Sequence, residues 1–254
     1  MKTLIVIPAR YASTRFPGKP MAMLGGESIV SRVWRKADGM NGIDRAVVAT
    51  DDERILSHMH TIGGQQAAMM TSTAHRSGTD RCGEVLRRLK EQGEHYDVVV
   101  NIQGDEPFVK ESQIEALTAC FSGEGTDIAT LRTPIRSSEE LFSPNNVKVV
   151  CDCSGRALYF SRQPIPYRRD VEQAQWMEGA NYYKHVGVYA FRAEVLEQLC
   201  KLAPAPLEEC EKLEQLRWMY KGYTIAVRDT EHANIGIDTP ADLAEAEAWL
   251  AQHK

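Results

Sequence analysis

No apolar run in this 254-residue chain approaches the roughly 18 residues that a membrane-crossing helix needs. Met1-Lys2 leads straight into a strand-like run instead of the pattern of a secretory leader. A cytoplasmic protein with no membrane partner is therefore expected. The six cysteines, Cys82, Cys120, Cys151, Cys153, Cys200 and Cys210, include no Cys-x-x-Cys pair and no histidine at zinc-ligand spacing. Reduced thiols, mostly packed in the core, are the expectation. There is no G-x-G-x-x-G after the first apolar run and no G-x-x-x-x-G-K-[ST] anywhere, which excludes the usual dinucleotide fingerprint and the P-loop. Repeats, low-complexity tracts and flexible linkers are absent as well.

Positive charge is the scarcer sign, 30 Lys and Arg against 35 Asp and Glu, for a net charge of −5. That balance argues against a nucleic-acid partner, and 43% hydrophobic residues argue for a globular chain. The length suffices for one sizeable core, or a core with a smaller lobe. Against this acidic background, Pro8 to Pro20 is a local exception. The apolar run Leu4 to Ile7 opens into P-A-R-Y-A-S-T-R-F-P-G-K-P, with Arg10, Arg15 and Lys19 inside ten residues. A buried strand breaking into a rigid cationic loop suits a polyphosphate: Arg offers a planar fork, Lys a point charge, and Ser13 and Thr14 neutral donors. The plainer alternative is a solvated basic loop.

The first half of the chain alternates strand and helix. Ser28 to Ala37 places Ile29, Val33, Trp34 and Ala37 on one helix face, and Arg45 to Thr50 reads as a buried strand whose Asp51-Asp52 end starts another helix. Gln66 to Met70 is expected as a strand, followed by a small polar loop and a helix reaching about Glu91. Asp97 to Gln103 is the clearest strand. A mostly parallel α/β sheet with helices on both faces follows, and ligands of such sheets sit beyond the carboxyl ends of the strands. That edge would gather Arg10, Ser77 and Asp105.

From Asp127 the pattern shifts to strands at Ile128 to Thr133, Val147 to Cys151, Ala157 to Phe160 and Val186 to Phe191. Pro164 to Trp176 reads as irregular, and antiparallel pairing is expected. Residues 1–254 are taken as one domain with a smaller subregion at about 134–190, its start lying near Thr133 to Ser143. Leu207 to Tyr220 and a tail helix, Pro240 to His253, are expected to return to the main sheet.

Two acids stand at loop ends. Asp105 lies in Gly104-Asp105-Glu106-Pro107, where the chain turns after its apolar strand, and is placed to carry Mg2+ beside the cationic loop. A turn aspartate bonded to its own backbone is the alternative, and Glu106 has the same chemistry. Asp238 precedes a helix already capped by Thr239, Pro240 and Asp242, so it is not needed for capping. His75 to Arg81 contains small residues that allow close backbone approach, and Ser77 or Thr79 can also cap the helix there. His185 and Tyr189 share one face of an expected strand, where an isolated histidine is more often structural.

The blocks H-R-S-G-T-D-R (His75 to Arg81), N-I-Q-G-D-E-P (Asn101 to Pro107), L-Y-F-S-R (Leu158 to Arg162), K-H-V-G-V-Y (Lys184 to Tyr189), L-E-Q-L-R (Leu213 to Arg217) and G-I-D-T-P (Gly236 to Pro240) join the basic loop in an ordered set. Together they resemble the 3-deoxy-manno-octulosonate (Kdo) cytidylyltransferase, or CMP-Kdo synthetase, family over nearly the whole length. The resemblance implies a Rossmann-like nucleotidyltransferase sheet with a smaller antiparallel dimerisation and sugar-binding lobe. It implies Mg2+-dependent transfer of CMP from CTP to a 2-keto-3-deoxy sugar acid, releasing pyrophosphate, for lipopolysaccharide.

By the same resemblance Pro8, Ala9, Arg10, Ser13, Thr14, Arg15, Lys19, Ser77, Gly78 and Gln103 bind the nucleotide, with Ser77 and Gly78 at cytosine. Asp105 and Asp238 hold the metal. Arg162, His185 and Tyr189 form the sugar-acid pocket, Arg162 gripping the carboxylate. Gln103, Glu211, Glu214 and Gln215 could reach sugar hydroxyls, Glu211 and Gln215 sharing a helix face while Leu213 and Leu216 are core. A homodimer is implied. Phe16 and the lengthened segment Asp170 to Asn181 depart from the common pattern, which leaves sialic acid, an 8-amino analogue of Kdo or an alcohol phosphate as alternative acceptors. A silent nucleotide-binding module is the rival from another class; retention of both acids argues against it.

Overall fold

The structure is a computed structural model that describes residues 1–12, 15–123, 125–232 and 236–252. In chain order its elements are β1 (Thr3–Ala9), β2 (Met23–Leu24), β3 (Glu27–Ser28), α1 (Ile29–Asp38), β4 (Arg45–Thr50), α2 (Glu53–Gly63), β5 (Ala68–Met70), α3 (Gly78–Glu91), β6 (Val98–Asn101), α4 (Glu111–Ala119) and β7 (Ile128–Pro134). There follow α5 (Ser138–Phe142), β8 (Lys148–Cys151), β9 (Ala157–Ser161), β10 (Tyr183–Arg192), α6 (Ala193–Leu199), α7 (Pro206–Glu211), α8 (Gln215–Tyr220), β11 (Ile225–Asp229) and α9 (Pro240–Gln252). The chain separates into two compact units, Met1–Glu115 with Phe191–Cys200 and Asn234–Lys254, and Ala116–Ala190 with Lys201–Ala233. The architecture is the expected α/β class with a largely parallel sheet.

In the first unit the strand order is β6-β1-β4-β5, all parallel, with Ile5 opposite both Ala46 and Val100. Every residue of β1 is buried, as a strand covered on both faces requires. Side-chain caps set the helix starts: Ser28 Oγ accepts from Ser31 N, Asp52 from Arg54 N, and Ser77 forms a capping box with Asp80. Because the strands are parallel, their carboxyl ends, at Ala9, Thr50, Met70 and Asn101, lie along one edge. Two expected strands are shorter than their apolar runs. The turn from Gly64 to Ala67, closed by Ala67 N donating to Gly64 O at 3.1 Å, delays β5. Beyond β6 the chain turns at Gln103, where Glu106 N donates to Gln103 O at 3.1 Å. Helices α4 and α6 and strand β11 carry no clear signal in the sequence.

In the second unit β11 runs parallel to β7, Ile225 opposite Ile128, while β8 pairs antiparallel with both β9 and β10. The expected subregion at 134–190 falls within this unit, which also takes in β7, α7, α8 and β11. Pro164 to Trp176 is irregular apart from a 3-10 turn at Gln173–Gln175. Trp176 holds it down, buried with Ile135, Leu141 and Tyr182 and donating through Nε1 to Val171 O at 3.0 Å.

The helical stretch expected at Leu207 to Tyr220 is broken. Lys212, with φ 54°, takes the left-handed conformation between α7 and α8, so Glu211 and Gln215 share no helix face. Leu213 and Leu216 are core as expected. The six cysteines are free, but only Cys82 and Cys120 are fully buried, and Cys153 and Cys210 are exposed, which corrects the expectation that most pack in the core. No helix among the described residues is long and apolar enough to cross a membrane.

Lys148, with no exposed surface, is the second unit's most demanding buried group. Its Nζ donates to Ser143 O at 2.9 Å, to Asn146 O at 2.6 Å and to Arg162 O, stitching three loop carbonyls to one point. Lys148→Met keeps the volume and removes the donors. It is expected to cost about 2–4 kcal/mol, read as a lower urea midpoint at unchanged slope. An unmoved midpoint would mean that those carbonyls find other donors.

Candidate active site

The loop after β1 is closed on itself. Gly18 N donates to Tyr11 O at 2.9 Å and Lys19 N to Phe16 O at 3.1 Å. At Gly18 φ is +73° and a Cβ would sit 3.1 Å from the Tyr11 ring, so position 18 requires glycine. Arg54, paired with Asp52 at 2.7 Å, lies over that ring at 3.3 Å from its centroid. Ser13 and Thr14, expected as neutral donors, lie outside the described residues.

Lys19 extends from this loop into a cluster of acids. Its largely buried Nζ donates to Asp105 Oδ2 and, at 3.0 Å, to Asp238 Oδ1. Arg15 Nη2 reaches Asp238 Oδ2 at 3.0 Å. Burial opposes the charge on Lys19, yet Asp105 and Asp238 outweigh it and hold its pKa above the usual lysine value. Asp105 is placed by Gly104, whose N–H donates to Pro8 O at 3.1 Å and whose added Cβ would come within 2.8 Å of the same oxygen. Asp238 is spared from capping, as the sequence implies. Asp242 accepts from Asp238 N and Thr239 N at 2.8 Å each, and Thr239 Oγ1 accepts from Asp242 N at 3.2 Å. Ile237 N donates to Asp105 O at 3.0 Å, tying the two acidic segments together through main chain.

The other end of the cleft is set by α3. Ser77 caps the helix, and a Cβ on Gly78 would meet Gln103 Nε2 at 3.1 Å and Pro8 Cγ at 3.2 Å. Arg10 Nη2 donates to His75 O at 3.0 Å, and His75 is steadied by Glu84 at 2.5 Å. Burial, then repulsion from Arg81, lowers the Arg10 pKa. Arg81 has no exposed surface and is held by Thr71 Oγ1 at 2.7 Å and by Asp51. No role for Arg81 by itself follows from the motif that contains it. A cation in the first turn of a helix opposes the helix dipole, and that mismatch was the available signal.

All the described nucleotide-site candidates, Pro8, Ala9, Arg10, Arg15, Lys19, Ser77, Gly78 and Gln103, line one cleft of about 400 Å³ together with Asp105 and Asp238. Ala12, Pro20, Arg76 and Gly104 line it too and were not anticipated. No group of three or more metal-ligating side chains occurs among the described residues, so a cation here would rest on two carboxylates. Mg2+ commonly keeps waters and substrate phosphates beside one or two protein carboxylates, so the donor set suits it by type, although Lys19 and Arg15 pair with both Asp238 oxygens and a cation would have to displace them.

Apart from Gln103, the sugar-acid candidates lie in the second unit. Arg162 is committed to main chain, donating from Nε to Glu211 O at 2.7 Å and from Nη1 to Pro144 O at 3.0 Å. The fork expected to grip a carboxylate is therefore occupied here, and a ligand would have to displace those carbonyls. Glu211 accepts from Ser161 Oγ at 2.6 Å and from Arg162 N at 2.9 Å, so it too serves as a structural tie.

His185 packs at 5.2 Å against Phe160 and Tyr189, and Tyr189 at 5.2 Å against Trp218. Burial pushes the His185 pKa down to about 3. Thr130 Oγ1 lies 2.8 Å from His185 Nε2 and 2.8 Å from Val188 O. With the hydroxyl proton directed to Val188 O, Nε2 donates to Thr130 Oγ1 and Nδ1 is left as an acceptor; with that proton directed to Nε2, the roles of the two ring nitrogens exchange. Burial, then the charge of Glu214, raises the Tyr189 pKa well above its usual value. Gln215 is buried at the start of α8.

A strand-end basic loop facing paired carboxylates, on an α/β sheet that lacks the P-loop and the dinucleotide fingerprint, defines a nucleotidyltransferase. A family model described as cytidylyltransferase matches residues 4–225. The chain is 52% identical to a 3-deoxy-manno-octulosonate cytidylyltransferase of Phocaeicola vulgatus, covering 100% of this chain and 99% of that protein. It is 48% identical to the same enzyme of Parabacteroides distasonis, with 99% of each covered. The solved structure of a CMP:2-keto-3-deoxy-manno-octonic acid synthetase complexed with CTP superposes with a TM-score of 0.91 at 39% identity, covering 100% of both chains. A 4-diphosphocytidyl-2C-methyl-D-erythritol synthase of Anaerococcus prevotii shares the fold at 17% identity and a TM-score of 0.61, with 98% of this chain and 96% of that one covered. The chain belongs to the 3-deoxy-manno-octulosonate cytidylyltransferase family.

The neutral state of His185 gives a signed pH effect. Above about pH 6.5 the ring is neutral in both folded and unfolded chains; below it the unfolded chain takes up a proton that the folded one refuses until about pH 3. This group therefore removes stability as pH falls through that window, by at most ~1.4 kcal/mol per unit. Urea unfolding of wild type and His185→Gln at pH 7 and pH 5 should show the wild type losing more than the variant. Equal losses would mean that the folded ring protonates freely.

Proposed function

We propose that the protein is a Mg2+-dependent cytidylyltransferase that joins CTP to 3-deoxy-D-manno-octulosonate, giving CMP-Kdo and pyrophosphate for lipopolysaccharide assembly. The observation that carries this reading is the meeting of Lys19, Asp105 and Asp238 inside a cleft lined by Arg10 and Arg15. Family membership and likeness to a CTP-complexed synthetase support it. The anomeric hydroxyl on C2 of the sugar acid attacks the α-phosphorus in line, and pyrophosphate leaves on the opposite side. The protein's work is positioning and charge neutralisation.

Arg15 and Lys19 neutralise the triphosphate tail, and Arg10, braced on His75 O, backs the same edge. Gly78 and Ser77, at the start of α3, let the base approach main chain closely. Asp105 and Asp238 would hold Mg2+, which supplies neutralisation of phosphate charge when bound. In the second unit, His185 Nδ1 hydrogen-bonds a hydroxyl of the sugar acid, and Tyr189, Glu214 and Gln215 stand near in sequence and chemistry. We further propose a cytoplasmic homodimer, which sedimentation of the purified protein tests.

The assay is mass detection of CMP-Kdo after incubation with CTP, Mg2+ and Kdo, run beside sialic acid and 8-amino-Kdo. Product from Kdo alone is expected, and CTP binding without product from any acceptor would overturn the reading. Asp105→Asn should leave CTP binding measurable while lowering kcat by about 10²–10³-fold; near wild-type turnover at saturating Mg2+ would remove the metal assignment. Lys19→Ala should raise the KM for CTP and lower kcat together, because its charge acts in both ground and transition states. Unchanged kinetics would place Lys19 outside the site.

A further inference from the structure

A second cavity, of about 430 Å³, lies in the first unit where α1 and α9 meet the segment that follows Asp105. Four cations stand in its wall, Arg32, Arg35, Lys36 and Lys110, against the single carboxylate of Glu27. Glu27 is shared, 3.3 Å from Arg32 and 3.5 Å from Arg35, and Arg32 also donates to Leu24 O at 3.0 Å, which leaves Arg35, Lys36 and Lys110 as the cations open to a ligand. Glu111, beside Lys110, is engaged elsewhere, accepting from Asn41 N at 2.8 Å and Asn41 Nδ2 at 2.6 Å. Burial, then repulsion from Lys110 and Arg32, lowers the Lys36 pKa, and no acid offsets it. Three positive charges in excess, gathered in one concavity of a protein whose net charge is −5, carry a repulsive cost that packing does not explain. Trp249 adds an apolar wall, with Lys110 Nζ 5.9 Å from its ring centroid and Phe108 edge-on at 4.7 Å.

We propose that this cavity is a second anion site that takes a soluble molecule bearing two or more phosphate groups and acts as an effector site for the cleft. A single phosphate would leave most of the positive excess unmatched, whereas a di- or triphosphate spans Arg35, Lys36 and Lys110. The effector role rests on the roles proposed for Asp105 and Asp238. Phe108 and Lys110 continue the segment that bears Asp105, and Trp249 lies on α9, whose capping Asp242 holds the main chain of Asp238. A ligand drawing Lys110 and Trp249 together steadies both acids from behind.

The probe is inorganic tripolyphosphate, titrated calorimetrically into the full chain with and without saturating CTP. Two binding events are expected, one abolished by CTP and one that persists with its affinity changed by about twofold or more, since coupling between an effector site and the cleft is reciprocal. Lys36→Gln/Lys110→Gln should remove the persistent event and keep the other, and Lys36→Gln alone, a milder change at a half-exposed position, should weaken it at least fivefold. The persistent event should also change Trp249 fluorescence, a signal absent in Trp249→Phe. A single event wholly displaced by CTP, a persistent event untouched in both lysine variants, or one whose affinity CTP leaves unchanged, overturns the proposal. So does binding of phosphatidylglycerol vesicles that tripolyphosphate fails to displace, since the ligand would then be a lipid surface. Loss of the CTP-displaced event from wild type would instead count against the nucleotide loop, leaving the second site standing.

Discussion

One ammonium holds the first unit's chemistry in place. Lys19 is nearly buried and bridges two carboxylates, one from the middle of the chain and one from near its end. Without it, Asp105 and Asp238 would face each other as like charges in a half-enclosed cleft. With it, that repulsion is offset, and the loop that carries Lys19 is fastened to the strand edge. The closure of that loop through Gly18 and Tyr11 then matters, because a slack loop could not deliver the ammonium to a fixed point. Tight turns, glycine contacts and caps around the cleft all serve to keep a few charges within hydrogen-bond reach of one another.

The two units make different use of polar burial. In the first, charged side chains point into open space and find one another across the cleft. In the second, the demanding groups are spent on architecture. Lys148 gathers three carbonyls, Arg162 ties α7 to the loop at Pro144, and Glu211 fastens Ser161 and the Arg162 main chain. Beside these ties stand a neutral imidazole and a phenol whose proton is firmly held, with the charge of Glu214 acting on the phenol. Groups of that kind interact by hydrogen-bond direction more than by net charge, an interaction that salt screens little.

Much of the first unit was legible before any coordinates, because its signals are local. The apolar runs at β1, β4 and β6, the capping residues Ser28, Asp52, Ser77 and Thr239, and the break at Pro8 each declare themselves within a few positions. The convergence of Arg10, Ser77 and Asp105 followed from the parallel topology alone. The main-chain contacts of Arg162 and Glu211 were not legible, because a guanidinium that meets carbonyls and one that does not look alike in sequence; the path of the loop at Pro144 sets them. The break at Lys212 was hidden for a similar reason, since lysine gives no hint of a left-handed conformation. Strand β11 has a short apolar core flanked by charge, and its identity as a strand depends on the partner it finds in β7.

The link between Ile237 N and Asp105 O has a consequence for how this chain can vary. Since donor and acceptor both belong to the backbone, exchange of one side chain for another at either position leaves the tether intact, and the spacing of the two acids is insulated from ordinary drift. Proline, which brings no N–H, is the one residue that position 237 cannot accept without cutting the tether.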